Sequence, residues 1–215
     1  GEDYVIQIPN EIGSEYYEVV KRPLRDDNGN IVGIIGILHD ITEHELLKQR
    51  LKSAASIDGL TGLYNRSEIQ SYIETELIRV RECGKNLSLI MLDIDNFKQV
   101  NDNYGHKEGD VVITALAKLL KSKQTAFEKR FSAGRWGGEE FMLLLYDTGI
   151  FDAARIAEQI RQSFANTFFG NVKPQTVSLG VTQARIDDTL DTLCIRVDSG
   201  LYKAKKSGKN CVVVI

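Results

Sequence analysis

The sequence predicts a mixed domain, α+β or α/β, in which helices cover one side of a sheet. Three observations carry that expectation. From about residue 57 onward, short apolar runs alternate with longer stretches whose apolar residues recur every three or four positions. The chain of 215 residues is 42% hydrophobic and 27% charged with only three prolines, a globular composition rather than a disordered one. No internal repeat or low-complexity segment interrupts the alternation.

The first 40 residues read as strands and turns. Tyr4-Val5-Ile6-Gln7-Ile8 is a β-prone run that Pro9 should end, and Tyr16 to Val20 is a second. Asp26-Asp27-Asn28-Gly29-Asn30 is a hairpin-type turn, after which Ile31 to Leu38 returns as an apolar strand. A segment of about 40 residues cannot bury much core alone, so it needs another chain or further sequence. From Thr42 to about Ser56 the pattern is helical. Thr42 and Glu45 fit a capping box, and His44, Leu47, Leu51 and Ala54 follow the spacing of a helix packed on a copy of itself. At about 1.5 Å per residue this is a stalk of about 20 Å.

The remainder alternates. Ile69, Tyr72, Ile73, Leu77 and Val80 mark a helix, and Leu87 to Leu92 a buried strand. Val112, Leu116, Leu119 and Leu120 mark the next helix, Phe141 to Leu145 a strand, and Ala153, Ile156, Ile160 and Phe164 another helix. Val177, Leu179 and Val181 alternate as a strand. Leu190, Leu193, Val197, Leu201 and Ala204 form a last helix, and Cys211 to Ile215 a last strand.

The net charge of −3 provides no global basic field, which excludes nucleic acid as the expected partner. An anionic substrate would need a local cationic cluster or metal ions. Cys83, Cys194 and Cys211 form no C-x-x-C pair, so free thiols in a reducing cytoplasm are expected. No apolar run reaches the roughly 20 residues of a membrane helix and no signal peptide precedes Gly1. The expected location is cytoplasmic. The start within a strand fits a piece of a longer protein, which leaves an upstream membrane anchor open.

Four constellations could carry chemistry. In Leu92-Asp93-Ile94-Asp95-Asn96-Phe97-Lys98, two carboxylates end an apolar strand and would share a face if the strand continued, a place for Mg²⁺ beside a phosphate. The plainer reading is a turn into a helix with Asp95 or Asn96 as its N-cap. In Arg135-Trp136-Gly137-Gly138-Glu139-Glu140-Phe141, Gly-Gly signals a tight hairpin whose residues tolerate positive φ. Glu139 and Glu140 then point to opposite faces, so one of them can meet Asp93 across neighbouring strands; a solvated hairpin tip is the alternative. Asn101 to Asp110 is dense in groups able to read a guanine edge, although His106 reads first as a local structural hydrogen-bonder. Tyr202 to Asn210 places lysines at a helix C-terminus that Gly208 would end, explained either by the helix dipole or by Lys205 and Lys209 reaching a triphosphate. No Walker A loop, G-x-S-x-G elbow or H-E-x-x-H motif is present.

In this order, these elements resemble the GGDEF family of diguanylate cyclases, over about Ile57 to Ile215. Asp58-Gly59-Leu60-Thr61-Gly62-Leu63-Tyr64-Asn65-Arg66 is similar to the family's opening D-x-L-T-G-L-x-N-R, and Gly137-Gly138-Glu139-Glu140-Phe141 stands at the signature. The resemblance implies a sheet of about five mainly antiparallel strands flanked by helices, similar to adenylyl cyclase cores and polymerase palms. It implies that two GTP become cyclic di-GMP and two pyrophosphates in a bacterial signalling homodimer organised by the stalk. It implies Mg²⁺, two ions per site with Mn²⁺ as a substitute, held by Asp93, the Ile94 carbonyl and Glu139. Glu139 doubles as the suggested base, Lys98 stabilises transition-state charge, and Glu140 supports the site or a second metal. Asn101 and Asp110 read guanine, and Lys205 and Lys209 bind phosphates, Lys209 standing where arginine is usual. His106 and Arg135 complete the substrate-binding set. Retention of Asp110 implies GTP rather than ATP. The family's inhibitory R-x-x-D positions are Glu128 and Phe131 here, so that site is absent. Residues before Asp40-Ile41-Thr42-Glu43 resemble the closing strands of a PAS domain. The implied organisation is a partial PAS domain at 1–41, a signalling helix at 42–56 and the cyclase domain at 57–215. A silent domain that binds GTP or cyclic di-GMP is the rival, against which the presence of Asp93, Lys98, Glu139 and Glu140 counts.

Overall fold

The computed structural model describes residues 2–10, 13–54, 56–126 and 130–215, with backbone alone at 2, 3, 10, 13, 49–54 and 126. The chain divides into two compact units, Gly1–Ala55 and Ser56–Ile215. Among the described residues no helix is long and apolar enough to cross a membrane.

In the first unit, β1 (Glu2–Asn10), β2 (Gly13–Arg25) and β3 (Ile31–Asp40) form an antiparallel sheet in that order, followed by α1 (Thr42–Ala54). Pro9 does not end β1, because an edge strand can point its missing N–H away from the ladder. The Asp26 carboxylate accepts from the N–H groups of Asn28 (3.0 Å) and Asn30 (2.8 Å), and Gly29 takes φ 82°, which makes the expected turn. The capping box gives way to a different arrangement. The Thr42 hydroxyl accepts from Tyr16 N–H (2.9 Å), Asp40 accepts from Thr42 N–H (2.9 Å), and Glu45 pairs with Lys48 (3.0 Å). Consecutive residues Ile34 and Ile35 of edge strand β3, which face opposite sides, are 71% and 49% exposed, so this strand is open on both faces, whereas Val19 of central β2 is buried. His44 and Leu47 of the anticipated helix seam are exposed; the side chains of Leu51 and Ala54 lie outside the described residues.

The second unit runs α2 (Arg66–Cys83), β4 (Leu87–Ile94), α3 (Phe97–Tyr104), α4 (His106–Ala126), β5 (Phe131–Arg135), β6 (Glu140–Tyr146), α5 (Ile150–Ala165), β7 (Val177–Gln183), α6 (Leu190–Lys206) and β8 (Val212–Val214). Its sheet has the order β5-β6-β4-β7-β8, antiparallel except for the β7–β8 pair. Every residue of central β4 is buried, which explains its unbroken apolar run. Helices cover both faces, not one. Ile90, Leu92 and Ile94 pack with Leu116 of α4 and Phe164 of α5, while Leu89 and Met91 pack with Ile73 of α2 and Val197 of α6. Helix α6 lies directly on β7 because residue 180 is glycine. A Cβ there would sit 2.3 Å from Leu201 N and 2.4 Å from Val197 O.

Candidate functional site

The carboxyl end of β4 sets the site. The antiparallel register places Asp93 opposite Glu140 on β6 and opposite Ser178 on β7. One residue on, Ile94 N–H donates to the Glu139 carbonyl (3.4 Å). Alternation leads one to expect a single glutamate beside Asp93; the register brings Glu140 opposite it and the Glu139 backbone alongside, at one strand end. Asp93 is 4% exposed and its carboxylate meets Lys205 Nζ of α6 at 2.7 Å. Burial pushes the Asp93 carboxyl up, Lys205 pulls it down and the charges of Glu139 and Glu140 push it up again, which leaves it at about 6.

Asp95 is equally buried but serves a different purpose. Its oxygens accept from Ser178 Oγ (2.6 Å), Thr176 Oγ1 (2.7 Å) and Asn210 N–H (3.0 Å). Those donors satisfy the carboxylate and tie the end of β4 to β7 and to the segment after α6. Asn96 occupies the N-cap position of α3 without capping it. It sits in the left-handed region (φ 56°), and its Oδ1 accepts from Lys209 Nζ at 2.5 Å. Lys209 (φ 65°) and Asn210 (φ 46°) are left-handed too, following Gly208 (φ 109°), which stops the helix as expected. Three non-glycine residues in this costly conformation meet at one place, held by Asp95 and by Arg161 Nη1 on Asn210 (2.7 Å). Asn96 was hidden in the sequence by its resemblance to an ordinary cap.

Lys98 is exposed in the first turn of α3, where its charge opposes the helix dipole, so local helix energetics do not account for it. Asn101, on the same helix, lies against the first turn of α4. A Cβ on Gly109 would meet Asn101 Oδ1 at 2.1 Å, so the missing side chain makes room for the amide. Asp110 follows and is exposed, as is His106 at the start of α4.

The hairpin between β5 and β6 forms, but neither glycine adopts positive φ. A Cβ on Gly137 would meet the Glu140 carboxylate tip at 2.6 Å and push that flexible side chain aside, whereas Gly138 faces open space. Arg135 braces this turn. Its Nε donates to the carbonyls of Gly137 and Gly138 (both 3.1 Å), Nη2 donates to Gly138 (2.7 Å), and Nη1 pairs with Asp58 (3.2 Å). Burial alone would raise the Asp58 carboxyl; hydrogen bonds from Thr61 and the Arg135 charge outweigh it and hold the carboxyl low. Arg66 stacks over Trp136 at 4.7 Å. The Asp58–Arg66 segment is therefore stapled to the hairpin at two points. Phe131 is a core residue, 1% exposed; Glu128 lies outside the described residues.

Among the described residues, no three His, Cys, Asp or Glu side chains converge as a ready-made metal cage. The donor set still fits Mg²⁺, which takes one or two carboxylates and completes its shell with water and phosphate oxygens. Asp93, Glu139 and Glu140 bring three negative charges toward one lysine, an imbalance that a divalent cation relieves.

Comparison with known proteins gives a consistent result. The family model described as diguanylate cyclase, GGDEF domain, matches residues 55–211, and a PAS fold model matches residues 9–46. The chain is 41% identical over 177 residues to the diguanylate cyclase DgcM of Escherichia coli K12, covering 82% of this chain and 42% of that protein. It is 38% identical over 197 residues to a diguanylate cyclase of Vibrio cholerae, covering 90% of this chain and 60% of that one. The chain therefore spans about half the length of these relatives. The crystal structure of the GGDEF domain of DgcB from Caulobacter crescentus, in complex with c-di-GMP, superposes with a TM-score of 0.69 at 30% identity, over 74% of this chain and 93% of that one.

Proposed function

The chain belongs to the GGDEF family of diguanylate cyclase domains, and we propose that it joins two GTP molecules into cyclic di-GMP with release of two pyrophosphates. The observation that supports this most is the end of β4, where buried Asp93 faces Glu140, Ile94 is bonded to the Glu139 carbonyl, and Lys205 reaches in from α6. Two sites face each other in a homodimer, and the 3′-hydroxyl of each GTP attacks the α-phosphate of the other. We assign residues 57–215 to the cyclase domain, 42–56 to the helix that pairs the two copies, and 1–41 to part of a PAS domain.

Asp93, the Ile94 carbonyl and Glu139 would hold Mg²⁺, two ions per site with Mn²⁺ able to substitute; the metal supplies neutralisation of the triphosphate and activation of the α-phosphorus. The chain's own groups do the rest. Lys205 and Lys209 bind phosphate oxygens as point charges, Lys209 steadied by Asn96. Lys98 faces charge that builds up during transfer. Asn101 and Asp110 read the guanine edge and so exclude adenine, with His106 as a nearby hydrogen-bonder. Arg135 keeps the Gly137–Gly138 backbone in the shape that a nucleotide approaches. Glu140 supports the metal ligands. Glu139 is a weak base while metal-bound, so its ligand role dominates. Lacking the R-x-x-D pair, the domain escapes feedback inhibition at that place.

Glu139→Gln keeps the size and removes the charge. It should lower the rate of cyclic di-GMP formation by about 10³-fold, the scale of losing one electrostatic stabiliser, with an unchanged melting temperature. Turnover within a few-fold of wild type would remove Glu139 from the metal site.

A further inference from the structure

Three lysines crowd the last turn of α6: Lys203, Lys205 and Lys206. The helix dipole accounts for cations there in general, and Lys206 also stacks on Tyr202 at 5.5 Å. Lys205 differs in crossing to another element. Its ammonium lies 2.7 Å from Asp93 Oδ2, with the carboxylate side chain 6% exposed and the lysine side chain 36% exposed. A carboxylate this buried needs a counter-charge, and Lys205 supplies it. The backbone beneath is fixed, because α6 is pressed onto β7 at Gly180. The side chain is not: it has a flexible four-carbon stem and an open path to solvent.

We propose that Lys205 is a resident counter-cation, which holds Asp93 while nucleotide is absent and yields it fully to a divalent metal only when a triphosphate draws the ammonium away. This rests on the reading of Asp93 as a metal ligand. Lys205 occupies one oxygen of Asp93, and its ammonium repels a metal ion placed within a few Å on the same carboxylate. A bare divalent ion therefore competes with Lys205 for Asp93 and binds weakly. An incoming triphosphate offers the ammonium a new partner and frees the carboxylate. Metal and nucleotide thus favour each other's binding, in equal measure by linkage. Divalent ions that arrive without a nucleotide are held only weakly.

The test is Mn²⁺ binding to the full chain in the absence of nucleotide, followed by the electron paramagnetic resonance signal of free Mn²⁺. A neighbouring positive charge changes a carboxylate's affinity for a cation by about one to three powers of ten. Lys205→Met, which keeps the length and loses the charge, should bind Mn²⁺ at least about tenfold more tightly than wild type. Lys205→Arg should stay as weak as wild type, and Asp93→Asn added to Lys205→Met should abolish the gain. Lys205→Met binding no more tightly than wild type while folded overturns the proposal, as does a gain that survives Asp93→Asn. The reading of the site fails separately: Mn²⁺ binding to the wild type in the presence of a non-hydrolysable GTP analogue that is indifferent to Asp93→Asn would show that Asp93 is no ligand.

Discussion

Asp93→Asn should abolish cyclic di-GMP synthesis and yet make the protein more stable at pH 8. Both effects follow from one buried charge. The folded-state carboxyl titrates near 6, above its ordinary 3.8, chiefly because burial penalises the ionised form. A carboxyl raised in the fold binds its proton more tightly there than in the unfolded chain, so stability falls as pH rises from about 4 to about 6. Above that range the whole penalty is present; below about 4 it is gone. At 1.36 kcal/mol per unit this amounts to about 3 kcal/mol. The amide carries no charge to desolvate, so Asp93→Asn should melt several degrees above wild type at pH 8. The gain should shrink as the pH is lowered through 6 and disappear near 4. Turnover should drop by about 10³-fold or more. Thermal melts across pH, with product chromatography at pH 8, check both. A variant that melts lower than wild type at pH 8 would mean that the Lys205 pair stabilises more than burial costs.

The second large effect is expected far from any charge. Gly180→Val places a branched side chain where α6 backbone atoms stand 2.3 to 2.8 Å from the Cβ position. Backbone cannot turn aside as a side-chain tip can, so α6 must lift from the sheet. That helix carries Leu193, Val197 and Leu201 into the core and Lys205 into the site. The cost should be at least about 3 kcal/mol, at the severe end for overpacking. That corresponds to a fall in melting temperature of about 6–12 °C for a domain of this size. Gly138→Ala is the control: its Cβ meets nothing within 4 Å, and stability should stay within about 0.5 kcal/mol. A Gly180→Val protein that melts within 2 °C of wild type would refute the tight seat of α6.

Local signals made most of the fold legible. Helices α2, α5 and α6 announce themselves by three- and four-residue spacing, and β4 by a run apolar on both faces. Strand β5 does not, because Ser132, Ala133 and Gly134 are too small to mark an alternation; its identity comes from pairing with β6. Pro9 misleads because its effect depends on whether the strand lies at an edge, which only the sheet decides. Thr42 misleads because its hydroxyl finds a partner on β2 in place of the helix behind it.

The candidate site divides along the same line. Alternation puts one hairpin glutamate within reach of Asp93, and the strand register makes it Glu140. The roles of its neighbours are set by residues distant in sequence. Asp95 looks like Asp93 until hydroxyls from Thr176 and Ser178 claim it. Arg135 looks like a free cation until Asp58 and two carbonyls occupy it. The Lys209–Asn96 bond and the Lys205–Asp93 pair depend on where α6 ends relative to β4, which the glycine at 180 fixes.

If two copies of this chain condense GTP together, incubating it with GTP and Mg²⁺ at rising protein concentration and separating the products should yield cyclic di-GMP. Its specific rate of formation should increase with protein concentration until the dimer saturates. No cyclic di-GMP at any concentration, from a folded chain that still binds GTP in the presence of Mg²⁺, would contradict condensation by two copies.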